Sequence, residues 1–316
     1  MPANREVAMK LVKGMLALFV VMIAVLGCSS TPAPGAPEVL STTPRVGSTG
    51  VSKNARITVY FSEPMDTGSV EAAYASDSDG IKPDQVTFSW EDGDKKLVIT
   101  PNAPLAYSPN ARALEFKYTI TRAAKSKEGV HLAADFEGSF STMRTVSVTI
   151  KSSAALDGQV RSDGQVTKNT EAAFVGENTE DINTFNFLSY FSFSMEELPG
   201  DLEEIVSASL RLYVVKHYGN QDYSYRVELV NYGDTLDGSD YSLTAEDDKE
   251  VSFTELSWTE VDVTGWVQSR FDSGAGRFQV RANFTGTGEQ EKNGYDLATG
   301  EAESGAPELA VSFYAP

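Results

Sequence analysis

Cysteine is almost absent: one residue in 316, at position 28. Disulfides, thiolate zinc sites and CxxC redox chemistry are therefore excluded for everything after it. Histidine is nearly as scarce, with only His131 and His217. They fall in different halves of the chain, which argues against a shared metal site, and each reads as a solvated or capping residue. There is no GxSxG, HExxH, GxxxxGK or GxGxxG pattern. The usual nucleophile elbow, zincin and nucleotide loops are thus missing. No apolar run reaches the ~20 residues that a membrane-spanning helix needs. Cationic side chains are outnumbered, 26 Lys and Arg against 45 Asp and Glu, for a formal net charge of −19. Such a surface repels nucleic acid, and no nucleic-acid partner is expected. No pattern marks an enzyme. A carboxylate pair of the glycosidase type is recognised by geometry rather than sequence, so a glycan-active enzyme stays as the lesser alternative.

What is present begins with Met15 to Cys28, MLALFVVMIAVLGC, preceded by Lys10 and Lys13 and followed by Ser29-Ser30. A basic start, about a dozen apolar residues and a small residue before the cut describe a secretory signal, here over residues 1–27 and expected to be helical. The ending Val25-Leu26-Gly27-Cys28 resembles the bacterial lipobox. That resemblance implies cleavage before Cys28, lipid on Cys28, and a membrane partner reached through the anchor. Ser29 in the second mature position implies the outer membrane, facing either the periplasm or the surface. Residues 28–37 are rich in Pro, Ser and Ala and read as a tether. The nine residues 29–37, fully extended, span ~30 Å.

Charge divides the remainder. Residues 29–144 carry 12 basic and 14 acidic residues, whereas residues 145–316 carry 11 and 30. A near-neutral segment followed by a strongly acidic one predicts two modules, 38–144 and 145–316. Both read as short strands and turns. In the first, Ile57, Val59 and Phe61 alternate with polar neighbours. Val86–Trp90 and Lys96–Thr100 flank Glu91-Asp92-Gly93-Asp94, a hairpin signal. Glu115–Ile120 and Phe136–Thr142 complete the pattern, and no helical period competes.

The run Gly50-Val51-Ser52 followed by Ile57-Thr58-Val59-Tyr60-Phe61-Ser62-Glu63-Pro64-Met65-Asp66 resembles the opening of bacterial Ig-like domains of the S-layer type. Leu97–Pro101, Tyr118-Thr119-Ile120 and Ser139–Thr142 keep that family's later order. The resemblance implies an Ig-like sandwich acting as a spacer, without catalytic residues. In the second module, Ile205–Val214 and Trp258-Thr259-Glu260-Val261-Asp262-Val263-Thr264 resemble segments of DNRLRE-type domains. Phe278–Arg281 and Pro307–Val311 resemble their last strands. This implies a jelly-roll-like sandwich of the kind found beside polysaccharide-degrading or adhesive modules. The fold class expected is all-β, an Ig-like sandwich followed by a jelly-roll-like one, with a helical turn or two near Trp266–Phe271.

Strand parity supplies the candidate site. Leu210, Leu212 and Val214 share one face, leaving Arg211 and Tyr213 on the other. The same alternation leaves Arg226 opposite Val227 and Leu229. It also leaves Gln279, Arg281 and Asn283 opposite Phe278, Val280 and Ala282. If these strands are neighbours, Arg211, Tyr213, Arg226, Gln279, Arg281 and Asn283 form one patch. Guanidinium forks and an aromatic ring suit an anionic sugar. An ordinary solvated face with cross-strand Arg–Glu pairs is the plain alternative. Trp258 and Trp266 are expected in the core. No organic cofactor is expected. Calcium is the one ion the acidic loops leave open, and Asp77-Ser78-Asp79-Gly80 with Asp84 reads as a solvated loop lacking a full EF-hand ligand set. The function expected is non-catalytic: an envelope lipoprotein presenting an acidic binding module, for polysaccharide or alternatively for an envelope protein.

Overall fold

The computed structural model describes residues 35–219, 223–286 and 292–316. The signal segment, Cys28 and most of the tether lie outside the described residues. Among the described residues the fold is all-β, about 51% strand with two short helices.

The first eight strands are β1 (Val39–Thr43), β2 (Ser48–Val51), β3 (Ile57–Phe61), β4 (Tyr74–Ala75), β5 (Val86–Glu91), β6 (Lys96–Pro101), β7 (Glu115–Ile120) and β8 (Phe136–Thr142). They form two four-stranded sheets, ordered β1-β3-β6-β5 and β2-β8-β7-β4. Side chains on a strand alternate between faces. Ile57, Val59, Phe61, Leu97 and Ile99 of one sheet therefore meet Phe116, Tyr118, Ile120 and Phe140 of the other in a single core. The hairpin expected at Glu91–Asp94 is present, with Glu91 paired to Lys96. Asp92, Gly93 and Asp94 all take positive φ to close it.

The Phe61–Asp66 segment differs from its reading as strand and turn alone. β3 ends at Phe61, Met65 is fully buried, and Asp66 caps a seven-residue helix, α1 (Thr67–Ala73). The Asp66 carboxylate accepts from the Ser69 amide at 3.1 Å. Only Val70 and Ala73 of this helix are buried. One i, i+3 pair is too little periodicity to show in a sequence.

Twelve strands follow: β9 (Arg144–Lys151), β10 (Gly158–Arg161), β11 (Val166–Lys168), β12 (Ala172–Glu180), β13 (Asn183–Ser194), β14 (Glu204–Tyr218), β15 (Ser224–Val230), β16 (Asp247–Val251), β17 (Ser257–Asp262), β18 (Arg277–Thr285), β19 (Lys292–Ala298) and β20 (Glu308–Ala315). The hydrogen-bonded order is β16-β15-β18-β13-β12-β19-β14-β20-β9. β17 joins the free side of β14, and β10 with β11 joins β13. The sheet folds over, so that Phe191, Val227, Leu229, Phe278 and Val280 face Leu210, Leu212, Val214, Leu309 and Phe313 across the main core. The helix α2 (Thr264–Asp272) packs Trp266 and Val267 into the same core, as expected. A second core, built on Leu156, Val160, Leu188, Tyr190, Val230, Tyr232 and Leu236, lies on the opposite side of the β13–β15 layer.

A single residue, Met143, separates β8 from β9. Its carbonyl accepts from the Ser108 amide at 3.0 Å. Arg144 Nε donates to the Pro316 carbonyl at 3.1 Å. Tyr107 packs edge-on against Tyr314 with centroids 4.8 Å apart and donates to Glu203. Lys53 pairs with Glu204 at 3.1 Å. Gly50 has φ +64°, and a Cβ there would meet Pro316 Cβ at 2.7 Å.

Asp66→Ala removes an N-cap and should cost about 1 kcal/mol in chemical denaturation. Asp157 is completely buried and accepts from the Ser192 amide at 3.2 Å and the Gly300 amide at 2.8 Å. Burial pushes its carboxyl up to about 7 from the ordinary 3.8, although those amide donors oppose the rise. Between these values the unfolded chain has lost a proton that the folded chain keeps. The contribution of this group to stability therefore falls as pH rises through that window. At ~1.4 kcal/mol per pKa unit the whole effect is at most roughly 4 kcal/mol. Denaturation midpoints of the wild type should fall between pH 4 and pH 7.5 relative to those of Asp157→Asn, and parallel profiles would contradict the assignment.

Candidate binding surface

Parity is as expected on every strand that was read for it. Leu210, Leu212 and Val214 are wholly buried, and Arg211 and Tyr213 point outward. The register sets Tyr213 opposite Trp258 and Arg211 opposite Glu260. Arg211 Nε donates to Glu260 at 2.9 Å, and Nη1 donates to Glu308 on β20 at 2.8 Å. Its guanidinium lies over the Trp258 ring, 4.5 Å from the centroid. Tyr213 meets Trp258 edge-on at 5.3 Å.

The other four expected residues sit elsewhere, and the single patch is not formed. Three strands, β13, β12 and β19, separate β14 from β18 in the sheet. Arg226 on β15 pairs across to β16, with Asp248 at 3.3 Å and Glu250 at 3.5 Å. Gln279 is 2% exposed and Arg281 6%. The segment carrying Tyr232, Leu236, Tyr241 and Leu243 folds over this face and contributes to the second core that buries it. Gln279 Oε1 accepts from the Tyr232 and Gly233 amides, and its Nε2 donates to the Gly233 carbonyl at 2.7 Å. Arg281 Nε donates to Glu228 at 2.5 Å, and Asn283 Nδ2 donates to the same carboxylate at 2.8 Å. These are structural hydrogen bonds beneath a cover. Parity identifies which face a residue takes, but not what a distant loop lays over it.

Trp258 is the residue that the core expectation misplaced. Val261 of β17 is buried, so Trp258, three residues away, points outward and is half-buried. The same alternation rule, applied to β17, signals this. Beside it runs a groove of about 460 Å³ between β16 and β17. Polar side chains dominate its lining: Lys249, Glu250, Ser252, Thr259, Glu260 and Asp262. Asp262 accepts from the amide and hydroxyl of Thr264, which holds its carboxyl below the usual range.

All six arginines of residues 145–316 are ion-paired: Arg161 with Asp163, Arg211 with Glu260, Arg226 with Asp248, Arg270 with Glu246, Arg277 with Asp234 and Arg281 with Glu228. Free guanidinium forks for an acidic sugar are therefore not what these positions offer. His131 Nδ1 lies 2.9 Å from the Arg122 carbonyl, and His217 stacks on Tyr295 at 4.5 Å. Asp79 of the acidic loop is paired with Lys82. Among the described residues, no cluster of three or more His, Cys, Asp or Glu side chains is arranged to hold a metal ion. Among the same residues, no helix is long and apolar enough to cross a membrane.

The two arginines on opposite layers should respond differently to removal. Arg281→Ala leaves Glu228 buried without its partner and should destabilise the fold by roughly 3–5 kcal/mol. Arg211→Ala acts on partly solvated pairs and should cost about 1 kcal/mol or less. Equal losses in urea denaturation would contradict the burial difference.

Comparison with known proteins gives two matching family models. Residues 33–142 match the bacterial Ig-like domain, and residues 118–300 match the TGF-beta propeptide. No curated protein matches the sequence. Among solved structures, the N-terminal part of the bacterial S-layer protein SbsC is 11% identical with a TM-score of 0.24, covering 50% of this chain and 40% of that one. This chain thus spans less than half of that S-layer structure. The MG0-NIE-MG1 part of alpha-2-macroglobulin from Escherichia coli is 11% identical with a TM-score of 0.26, covering 73% and 98%. SGBP-B from a xyloglucan utilization locus of Bacteroides uniformis is 11% identical with a TM-score of 0.20, covering 88% and 72%. Likeness at these scores carries no functional argument. The propeptide model spans more than half of the chain, and the chain belongs to the TGF-beta propeptide family, with a bacterial Ig-like domain across residues 33–142.

Proposed function

We propose that this chain is a non-catalytic outer-membrane lipoprotein anchored through Cys28. In this reading the Ig-like residues 38–144 act as a spacer, and residues 145–316, a DNRLRE-like sandwich, bind polysaccharide. The observation that carries the reading is the outward Trp258 beside a polar groove. A sugar offers hydroxyls to Glu250, Ser252 and Thr259, and its apolar ring face to the part of the indole that lines the groove and is not covered by Arg211. The groove carboxylates do not suit catalysis. A glycosidase needs one carboxyl held protonated, whereas Glu250 is paired to Arg226, Glu260 is paired to Arg211, and Asp262 is held ionised by Thr264.

The test is a glycan-binding screen of the full chain with and without calcium, repeated with Trp258→Ala. The variant should lose at least tenfold in affinity, about 1.4 kcal/mol, while its melting temperature stays close to the wild type. Unchanged affinity would reject the groove. Failure to bind any polysaccharide, together with a stable co-purifying protein, would reject the function.

A further inference from the structure

The outer face of β14 continues past Tyr213. The register shifts between Val214 and Lys216, which leaves Val215 and Lys216 both exposed. His217 turns inward onto Tyr295, so Tyr218 returns to the outer face. At ~3.3 Å per residue, Tyr218 lies roughly 16 Å along the strand from Tyr213. Two ammonium groups gather there. Lys216 Nζ is 4.5 Å from the Tyr218 centroid, and Lys292 Nζ is 3.6 Å from it. They stand within roughly 8 Å of each other, and at that separation their repulsion is appreciable near a protein surface. Lys292 also lies 4.4 Å from the centroid of Phe174, which meets Tyr218 edge-on at 5.9 Å. Phe174 in turn rests on Gly176 and Gly294, where any Cβ would crowd its ring to 3.0 Å.

The pairing is unusual for this acidic half of the chain. Every arginine there has a carboxylate partner, yet Lys216 has none among the described residues. Lys292 reaches only Asp296, at 3.9 Å, and the Tyr218 hydroxyl already donates to that carboxylate at 2.7 Å. Burial and the neighbouring Lys216 hold Lys292 below its ordinary pKa, against the pull of Asp296. Among the described residues, the two like charges thus stand against one aromatic ring, and Asp296 is the one carboxylate within 4 Å of either.

We propose that Lys216 and Lys292, held against Tyr218, form an anion subsite on the outer face of β14 that takes a carboxylate, sulfate or phosphate group. Resting on the polysaccharide reading above, the anion is a charged substituent of the same glycan that lies along β14 from the Trp258 groove. One such group bonds to both ammoniums through charge-assisted contacts of about 2.8 Å. The Tyr218 and Phe174 rings limit where the lysines can go.

The test uses the full chain with 13C-dimethylated lysines, whose charge is retained, observed by NMR at constant ionic strength. The probes are inorganic sulfate, glucuronate and a glucuronate-containing oligosaccharide. The Lys216 and Lys292 signals should shift together and saturably, and the Lys292 titration should move upward, while Lys151 stays unchanged. Lys216→Gln should weaken the response about tenfold, and Lys216→Arg should restore it. The oligosaccharide binding more tightly than sulfate identifies the charged sugar, whereas equal affinities identify a free-anion site and remove the link to the glycan. Absence of saturation with all three probes, or equal shifts at Lys151, would overturn the subsite. A saturable sulfate response without any polysaccharide binding rejects the proposed function and keeps the subsite.

Discussion

The inward burial of Leu210, Leu212 and Val214 decides what the rest of β14 presents. Each is wholly buried, and each contributes roughly 1.5–3 kcal/mol by leaving water. A slip of one residue would send all three to solvent and bring Arg211 and Tyr213 into the core. The register is therefore strongly specified, and the outer face follows from it. Neighbours on both sides lock the strand further, with β20 and β19 on one side and β17 on the other. Trp258 reaches the outer face only because Val261 of β17 obeys the same core.

Electrostatics then separates the two layers. Between β15 and β18, the Glu228–Arg281 pair is buried and hydrogen-bonded within the protein. Glu228 accepts from both Arg281 and Asn283, and the backbone carbonyls of Asp240 and Tyr241 accept from Arg281 Nη1. Such a network does not by itself argue for stability, since desolvating its ions offsets much of their attraction. It does tie the covering segment to this layer, through Arg281 Nη1 to the Asp240 and Tyr241 carbonyls. On the β14 layer the charges stay partly solvated. The acidic excess of residues 145–316 creates a negative long-range potential there. An anionic ligand must overcome it at short range, through lysines whose attraction is felt within a few ångströms. Added salt screens the distant repulsion more than the contact itself.

The sequence was legible wherever a strand alternates cleanly. The cores of β3, β14, β15 and β18 were all readable from residues such as Ile57, Leu212, Val227 and Val280. β12, β16 and β19 were not anticipated, for physical reasons. β16 is a charged edge strand, Asp247-Asp248-Lys249-Glu250-Val251, and edges tolerate charge on both faces. β12 and β19 contain Gly176 and Gly294, which face each other beneath Phe174 and interrupt any apolar alternation. The candidate site was half legible. Arg211 and Tyr213 were placed on the correct face, but Gln279 and Arg281 are sealed by residues some forty positions away. Asp157 gives no sequence signal at all, because its burial comes from Ser192 and Gly300, which arrive from distant segments.

The same chain-distant contacts govern how the head meets the Ig-like residues. A one-residue connection alone would leave a hinge at Met143. Here the Arg144 bond to Pro316, the Tyr107–Tyr314 contact and the Lys53–Glu204 pair all act around that point. Two of them engage the terminal strand β20 or the residue after it, and β20 is itself paired along β14 and β9. Rotation about Met143 would therefore have to break contacts to the strand that supports the β14 face. Gly50, whose missing side chain admits Pro316, is the local condition for that closeness. A surface on β14 is in this way oriented by the Ig-like residues rather than swinging freely from them.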